Sequence, residues 1–151
     1  MPEFRLSAVI AFGLVLLVLL GMAWGFRTIA LALLTQSAER GNIVPMSFTV
    51  ARVRLPVGET FALSLPARRI GEPLTAFGTL ALSTKRVRLL RRGRVMADVP
   101  LSNIAHLTMK GFTLHIETRG GSEALHLRVA RPATIARYIR CLALRGASGN
   151  S

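Results

Sequence analysis

Residues Leu6 to Phe26 hold no charged side chain and almost no hydrogen-bonding one, Ser7 being the exception. At roughly 1.5 Å per residue such a run makes a helix about 31 Å long, which matches the ~30 Å hydrocarbon core of a bilayer. Its flanks have the chemistry of a membrane interface. Arg5 precedes the run, and Trp24 and Arg27 close it, where an amphipathic ring and a snorkelling cation sit well among headgroups. The run therefore predicts a single transmembrane anchor over residues 1–34, with its core at 6–26.

A cleaved signal peptide is the competing reading. Arg5 would be a thin positive region, and Ala23-Trp24-Gly25 a poor small-x-small cleavage site. The apolar run is longer than the 7–15 residues usual for a signal. Apolar residues also resume at Ile29 and continue to Leu34. Both features favour an uncleaved anchor. Arg27 and Arg40, followed by Arg52 and Arg54, outweigh Arg5 offset by Glu3, so the positive-inside bias predicts a cytoplasmic C-terminal domain. Gly21 and Gly25 have the small-xxx-small spacing that lets two membrane helices pack closely, which makes a homodimer through this helix one expectation.

The remainder of the chain has room for one modest domain. Thr35 to Pro45 is polar, contains Gly41-Asn42 and ends in proline, so residues 35–46 read as a linker. From Ser47 onward the chain holds 17 Lys plus Arg against 5 Asp plus Glu, a net +12. A field of that size calls for an anionic neighbour: phospholipid headgroups, nucleic acid or an acidic protein. An Arg- and Ala-rich chain is also what a GC-rich genome encodes. Cys141 is the single cysteine, which excludes an internal disulfide and a cysteine metal cluster.

The periodicity shifts from 3.6 towards 2 after the linker. Short strands are expected around Phe48, Val50 and Val53, then Phe61 to Leu65, Phe77 to Leu82, Val87 to Leu89 and Val95 to Val99, separated by Gly and Pro. One hairpin has a definite register. With Gly120-Gly121 as a two-residue turn and Arg119 facing Ser122, Phe112 pairs with Val129, Leu114 with Leu127 and Ile116 with Leu125. All three pairs are apolar and share a face, and a one-residue slip would destroy the agreement. Pro132 then opens a helix over 132–145 with Ile135, Tyr138, Ile139 and Leu142 on its buried side and Arg137, Arg140 and Arg145 outside. Gly146 is expected to stop it and leave 146–151 as a flexible tail.

The order of these elements resembles the PH-like superfold, in particular bacterial PH and GRAM-like domains. The resemblance rests on Val57-Gly58-Glu59 at the first strand, on Gly78-Thr79-Leu80-Ala81-Leu82-Ser83-Thr84-Lys85-Arg86, and on Val99-Pro100-Leu101-Ser102-Asn103-Ile104 before the hairpin and helix. Ser83 stands where those domains usually carry threonine, and Val99 where isoleucine is frequent. The resemblance covers residues 55–145 and implies a bent antiparallel sheet of about seven strands closed by a C-terminal helix. It also implies a binding or scaffolding module with no shared catalytic residue, and function must still be argued from the site.

Lys85, Arg86, Arg88, Arg91, Arg92 and Arg94 put six cations into ten residues. By strand alternation Arg86 and Arg88 are expected on the face opposite Val87 and Leu89, with Arg91, Arg92 and Arg94 at a hairpin tip. Beside an anionic leaflet such a surface gains about 1 kcal/mol per cation. Arg68 and Arg69 join this set because the resemblance places them at an inter-strand loop that contacts headgroups. His115 and His126 oppose each other on the polar face, with Glu117 one step away and His106 apart, and they lack a third convergent ligand. There is no Ser/His/Asp order and no phosphate loop. Nucleic acid is disfavoured by the scarcity of stacking aromatics, since only Phe112 and Tyr138 lie near basic stretches. Neither cofactor nor metal is expected. The sequence reads as a non-catalytic accessory or scaffold module that contacts an anionic leaflet and a membrane protein partner. The alternatives are an exported domain binding an anionic envelope polymer and a membrane-tethered nucleic-acid binder.

Overall fold

The structure, a computed structural model, describes residues 3–49, 54–121 and 124–148, and the side chains of 7–145 within them. The chain divides into two compact units, Met1–Leu34 and Thr35–Ser151. Helix α1 spans Glu3–Arg40. Within the first unit every side chain from Ser7 to Trp24 is exposed, and α1 is long and apolar enough to cross a membrane. The side chain of Arg5 lies outside the described residues.

Residues 35–40, expected as linker, are helical. The stretch is polar but contains no residue that breaks a helix, so the backbone hydrogen-bond ladder continues through it. Termination comes at Gly41, whose φ of +112° suits glycine. The Gly41 N–H donates to Ala38 O and the Asn42 N–H to Ser37 O, which satisfies two of the last free carbonyls.

Among the described residues the second unit has eight strands: β1 Met46–Ser47, β2 Phe61–Arg69, β3 Gly78–Ser83, β4 Arg86–Arg91, β5 Arg94–Pro100, β6 Ile104–Lys110, β7 Thr113–Thr118 and β8 Leu125–Val129. They hydrogen-bond in the order β5-β4-β3-β2-β8-β7-β6, with the two-residue β1 parallel to β2. β2 is the shared element. Its first part pairs with β3, and Ala67 to Arg69 pair with β8. Two antiparallel meanders, β2 to β5 and β6 to β8, are thus joined through one strand.

The expected β7–β8 register is the observed one, with Leu114 opposite Leu127, His115 opposite His126 and Ile116 opposite Leu125. The Val129 N–H donates to Phe112 O. Gly120 and Gly121 both have positive φ in the turn; Ser122 lies outside the described residues, as do Val50, Arg52 and Val53 of the expected first strand. Val57-Gly58 forms a turn before β2 rather than part of it. Phe77 precedes β3 and is exposed.

Helix α2, Pro132–Ser148, packs on the 3-10 turn Leu101–Asn103 and on β6 and β7. Ile135, Tyr138, Ile139 and Leu142 are buried, whereas Arg137 and Arg140 are exposed. The helix runs past Gly146 to Ser148; one glycine costs a helix about 1 kcal/mol relative to alanine, too little to end it without a left-handed cap. The Leu, Ile, Val and Ala faces of both meanders and of α2 form one core.

Candidate functional site

Strand β4 carries the basic run, and the structure divides that run into three environments. Lys85 sits exposed in the β3–β4 turn. Arg92 and Arg94 sit exposed at the β4–β5 tip. The span between them is roughly 20 Å at about 3.4 Å per residue, so they do not form one patch.

Between them lies a buried ion network. The Arg88 side chain is 6 % exposed and the Glu59 side chain 5 %. Arg88 Nη2 donates to Glu59 Oε1 at 3.1 Å, Arg88 Nε donates to Asp98 Oδ2 at 3.3 Å, and Arg88 Nη1 lies 3.0 Å from Glu59 Oε2. Arg86 bridges the same two carboxylates, 3.2 Å from Glu59 Oε1 and 3.0 Å from Asp98 Oδ2. The buried Ser83 hydroxyl donates to Glu59 Oε2 at 2.9 Å and accepts from the Arg86 N–H at 3.0 Å. Burial acts to lower the pKa of Arg88, but hydrogen bonds and charge from Glu59 and Asp98 prevail and raise it above its ordinary value.

Two guanidinia face two carboxylates, so the network is locally neutral. Arg88 therefore does not present a free cation, and Arg86 presents one already paired. Alternation correctly separated these residues from Val87 and Leu89. What it missed is that the segment before β2 lays Glu59 over that face, joined to the β3–β4 turn by Thr84 N–H to Thr60 O at 3.0 Å.

The open cations lie at the other end of β4. The Arg92-Gly93 turn has φ of 48° and 76°, left-handed at both central positions, as a two-residue hairpin of the right twist requires. Asn or Gly is the usual first residue there, so an arginine accepts a local strain at the outermost point of the hairpin. The β2–β3 loop lies beside it. Arg91 Nη1 is 3.7 Å from Glu72 Oε2, and Arg68 Nη1 donates to the Glu72 carbonyl at 3.1 Å. Gly78 leaves β4 no clearance for a side chain, since a Cβ there would stand 2.5 Å from Leu90 O.

That loop carries Leu74, 72 % exposed, and Phe77, 64 % exposed, and Ile70 at its start is exposed too. Val95 and Met96 add apolar surface just after the tip. Arg68 and Arg69 are half-buried at the end of β2. One end of the domain thus combines exposed apolar side chains with Arg92 and Arg94. The sequence pattern exposes the arginines and hides Leu74 and Phe77, because Phe77 fits the period of the following strand. The legible signal is Gly71, Pro73 and Gly78 around them, which mark a loop long enough to hold Leu74 and Phe77 away from the core.

His115 and His126 oppose each other with ring centroids 4.4 Å apart. Among the described residues no three His, Cys, Asp or Glu side chains converge as metal ligands. In α1, Trp24 is exposed, and a Cβ added at Gly21 or Gly25 would meet nothing within 4 Å.

No protein-family model matches the chain, and no curated sequence matches it. Among solved structures it is similar to the FERM and C-terminal domain complex of Drosophila Merlin, with a TM-score of 0.49 at 7% identity over 62% of this chain and 31% of that one. It is also similar to the MyTH4-FERM MF1 domain of Dictyostelium discoideum myosin VII, with a TM-score of 0.46 at 13% identity over 56% and 18%. The N-terminal PH domain of human ARAP2 gives a TM-score of 0.43 at 16% identity over 58% and 83%. The chain spans about a third or less of the first two. The strand order itself, a four-strand meander and a three-strand meander joined through β2 and closed by a C-terminal helix, is that of a PH-like fold.

Proposed function

We propose that the protein is a non-catalytic, single-pass membrane adaptor whose PH-like domain rests one end on the anionic leaflet of the membrane its anchor spans. The observation that carries this reading is the meeting of exposed Leu74 and Phe77 with Arg92 and Arg94 at one end of the sheet. Apolar side chains that enter the headgroup boundary supply depth, and the cations add about 1 kcal/mol each within a Debye length of anionic lipid. The strained φ of Arg92 supports the same reading, since a backbone that accepts cost at a solvent-exposed tip points to a role for the side chain. The anchor is α1, oriented with the domain in the cytoplasm of a bacterial cell, and the small-xxx-small spacing of Gly21 and Gly25 would let two such helices pair. The module acts as an accessory or scaffold for another membrane protein.

The test uses the full chain in nanodiscs, with Cys141→Ser and a spin label at Phe77→Cys. With anionic lipid the label should sit at headgroup depth, and Arg92→Gln with Arg94→Gln should withdraw it. A label that stays in water on anionic discs overturns the leaflet reading. A reporter fused after Ser151 tests orientation; a periplasmic signal there would favour an envelope-polymer ligand instead.

A further inference from the structure

On the outer face of the β2-β8-β7-β6 sheet, two adjacent rows are rich in hydrogen-bond donors. Register places Arg68 opposite Arg128, Arg128 opposite Thr113, and Thr113 opposite Lys110, one row across four strands. The next row holds His126, His115 and Thr108. Arg128 and Lys110 are exposed, and Arg68 is half-buried with one guanidinium nitrogen on the Glu72 carbonyl. Among the described residues no carboxylate lies in either row; Glu117 and His106 form the row beyond.

Arg68 and Arg128 stand directly opposite at the ~4.8 Å interstrand spacing, an arrangement that destabilises a sheet unless a counter-charge is supplied. The Arg86–Arg88 pair receives Glu59 and Asp98 from its own chain, and this row receives no such group among the described residues. A metal ion is not the complement, because the two imidazoles are flanked by permanent cations.

We propose that this face docks an acidic segment of a neighbouring polypeptide, with its carboxylates on Arg68, Arg128 and Lys110. The choice of protein over bilayer rests on the leaflet reading above. Side chains stand perpendicular to their strands, and β2 runs directly into the 70–77 loop that meets the leaflet. A planar leaflet that receives the loop meets only the rim of the face and leaves the row of cations free for a polypeptide. This gives the scaffold role a surface and its partner a chemistry.

The test uses full-length protein in zwitterionic nanodiscs and a fluorescein-labelled poly-glutamate peptide, read by anisotropy. Arg128→Gln with Lys110→Gln should weaken binding about tenfold, as loss of two exposed ion-pair partners predicts. Arg68→Lys with Arg128→Lys should retain most of it, and Arg92→Gln with Arg94→Gln should leave it within about twofold. Unchanged affinity in the Arg128/Lys110 variant, or an equal loss in the Arg92/Arg94 variant, overturns the proposal. So does a result in which the Arg128/Lys110 variant instead lifts the residue-77 label off anionic discs, which would give the face to lipid. Because the label reports the leaflet contact and the peptide reports this face, each reading fails separately.

Discussion

The middle and the tip of β4 come from the same arginine-rich run, yet they do opposite things. Arg88 is enclosed with two carboxylates, one of them brought from 29 residues upstream. Arg92, four positions further on, sits in a left-handed turn in open water. Charge density along a sequence is a one-dimensional quantity. Whether a cation is available depends on what the rest of the chain lays over its face, and strand alternation is silent about that. The middle of β4 holds the domain together, and the tip is free to touch something else.

Removal of Arg88 should separate the two most sharply. Arg88→Met leaves Glu59 buried without its main counter-charge, and breaking a buried pair from one side costs about 3–5 kcal/mol. Denaturant unfolding of the full chain in micelles should report that loss, with hydrogen exchange accelerating first in β3 and β4. Replacing both partners, Arg88→Met with Glu59→Met, should cost clearly less than the single change, because no lone charge remains. If the single variant loses under about 1 kcal/mol, the network does not fasten the segment before β2 and the contrast collapses.

Tyr138 tests the converse case, a covered polar group that lacks what Arg88 has. Its hydroxyl is buried with no hydrogen-bond partner among the described residues. Burial, helped by the nearby Cys141, pushes the phenol up to about 12 from 10. The sign depends on which state ionises first. Below pH 10 the phenol is neutral folded or unfolded and contributes no pH dependence. Between pH 10 and about 12 the unfolded chain ionises while the folded one resists, so stability falls by about 2–3 kcal/mol. Tyr138→Phe should remove that portion of the alkaline loss, measured as the difference between the two unfolding curves across this window. Ser83→Ala is a smaller disturbance of the Arg88 network. Loss of the hydroxyl that joins Glu59 to the Arg86 N–H should cost about 1–2 kcal/mol, and the Arg88 contacts should survive it.

Legibility in the sequence depends on the range of the interactions involved. The β7–β8 register is readable because turn chemistry and alternation act within twenty residues, and only one register puts Phe112, Leu114 and Ile116 all opposite apolar partners. The buried stripe of α2 is readable for the same reason. The apolar segment of α1 announces itself by length alone. The Glu59–Arg88 pair is not readable, because a lone acidic residue before β2 carries no mark of the strand it will cover. Leu74 and Phe77 escape on different grounds: a hydrophobic residue in a loop obeys no period, and exposure of an apolar side chain is a property of the finished surface. The row of Arg68, Arg128 and Lys110 joins three strands far apart in sequence, and it becomes visible only with the pairing of β2 to β8.

The smallest effect gives the cleanest discrimination. Arg92→Gly replaces a residue held at φ 48° with the one that adopts that backbone freely. Relief of left-handed strain, worth about 1–2 kcal/mol for an L-residue, is partly offset by the extra freedom that glycine has when unfolded. The net should be a gain of about 0.5 kcal/mol in unfolding free energy. The same change removes one cation from the tip and should weaken association with anionic nanodiscs by about 1 kcal/mol, roughly fivefold. Stability and leaflet affinity then move in opposite directions at Arg92, whereas at Arg88 any change in affinity should only track the loss of the fold. A marked fall in stability for Arg92→Gly would mean that the tip, like the middle of the strand, is structural, and the exposed arginines would lose their claim on the membrane.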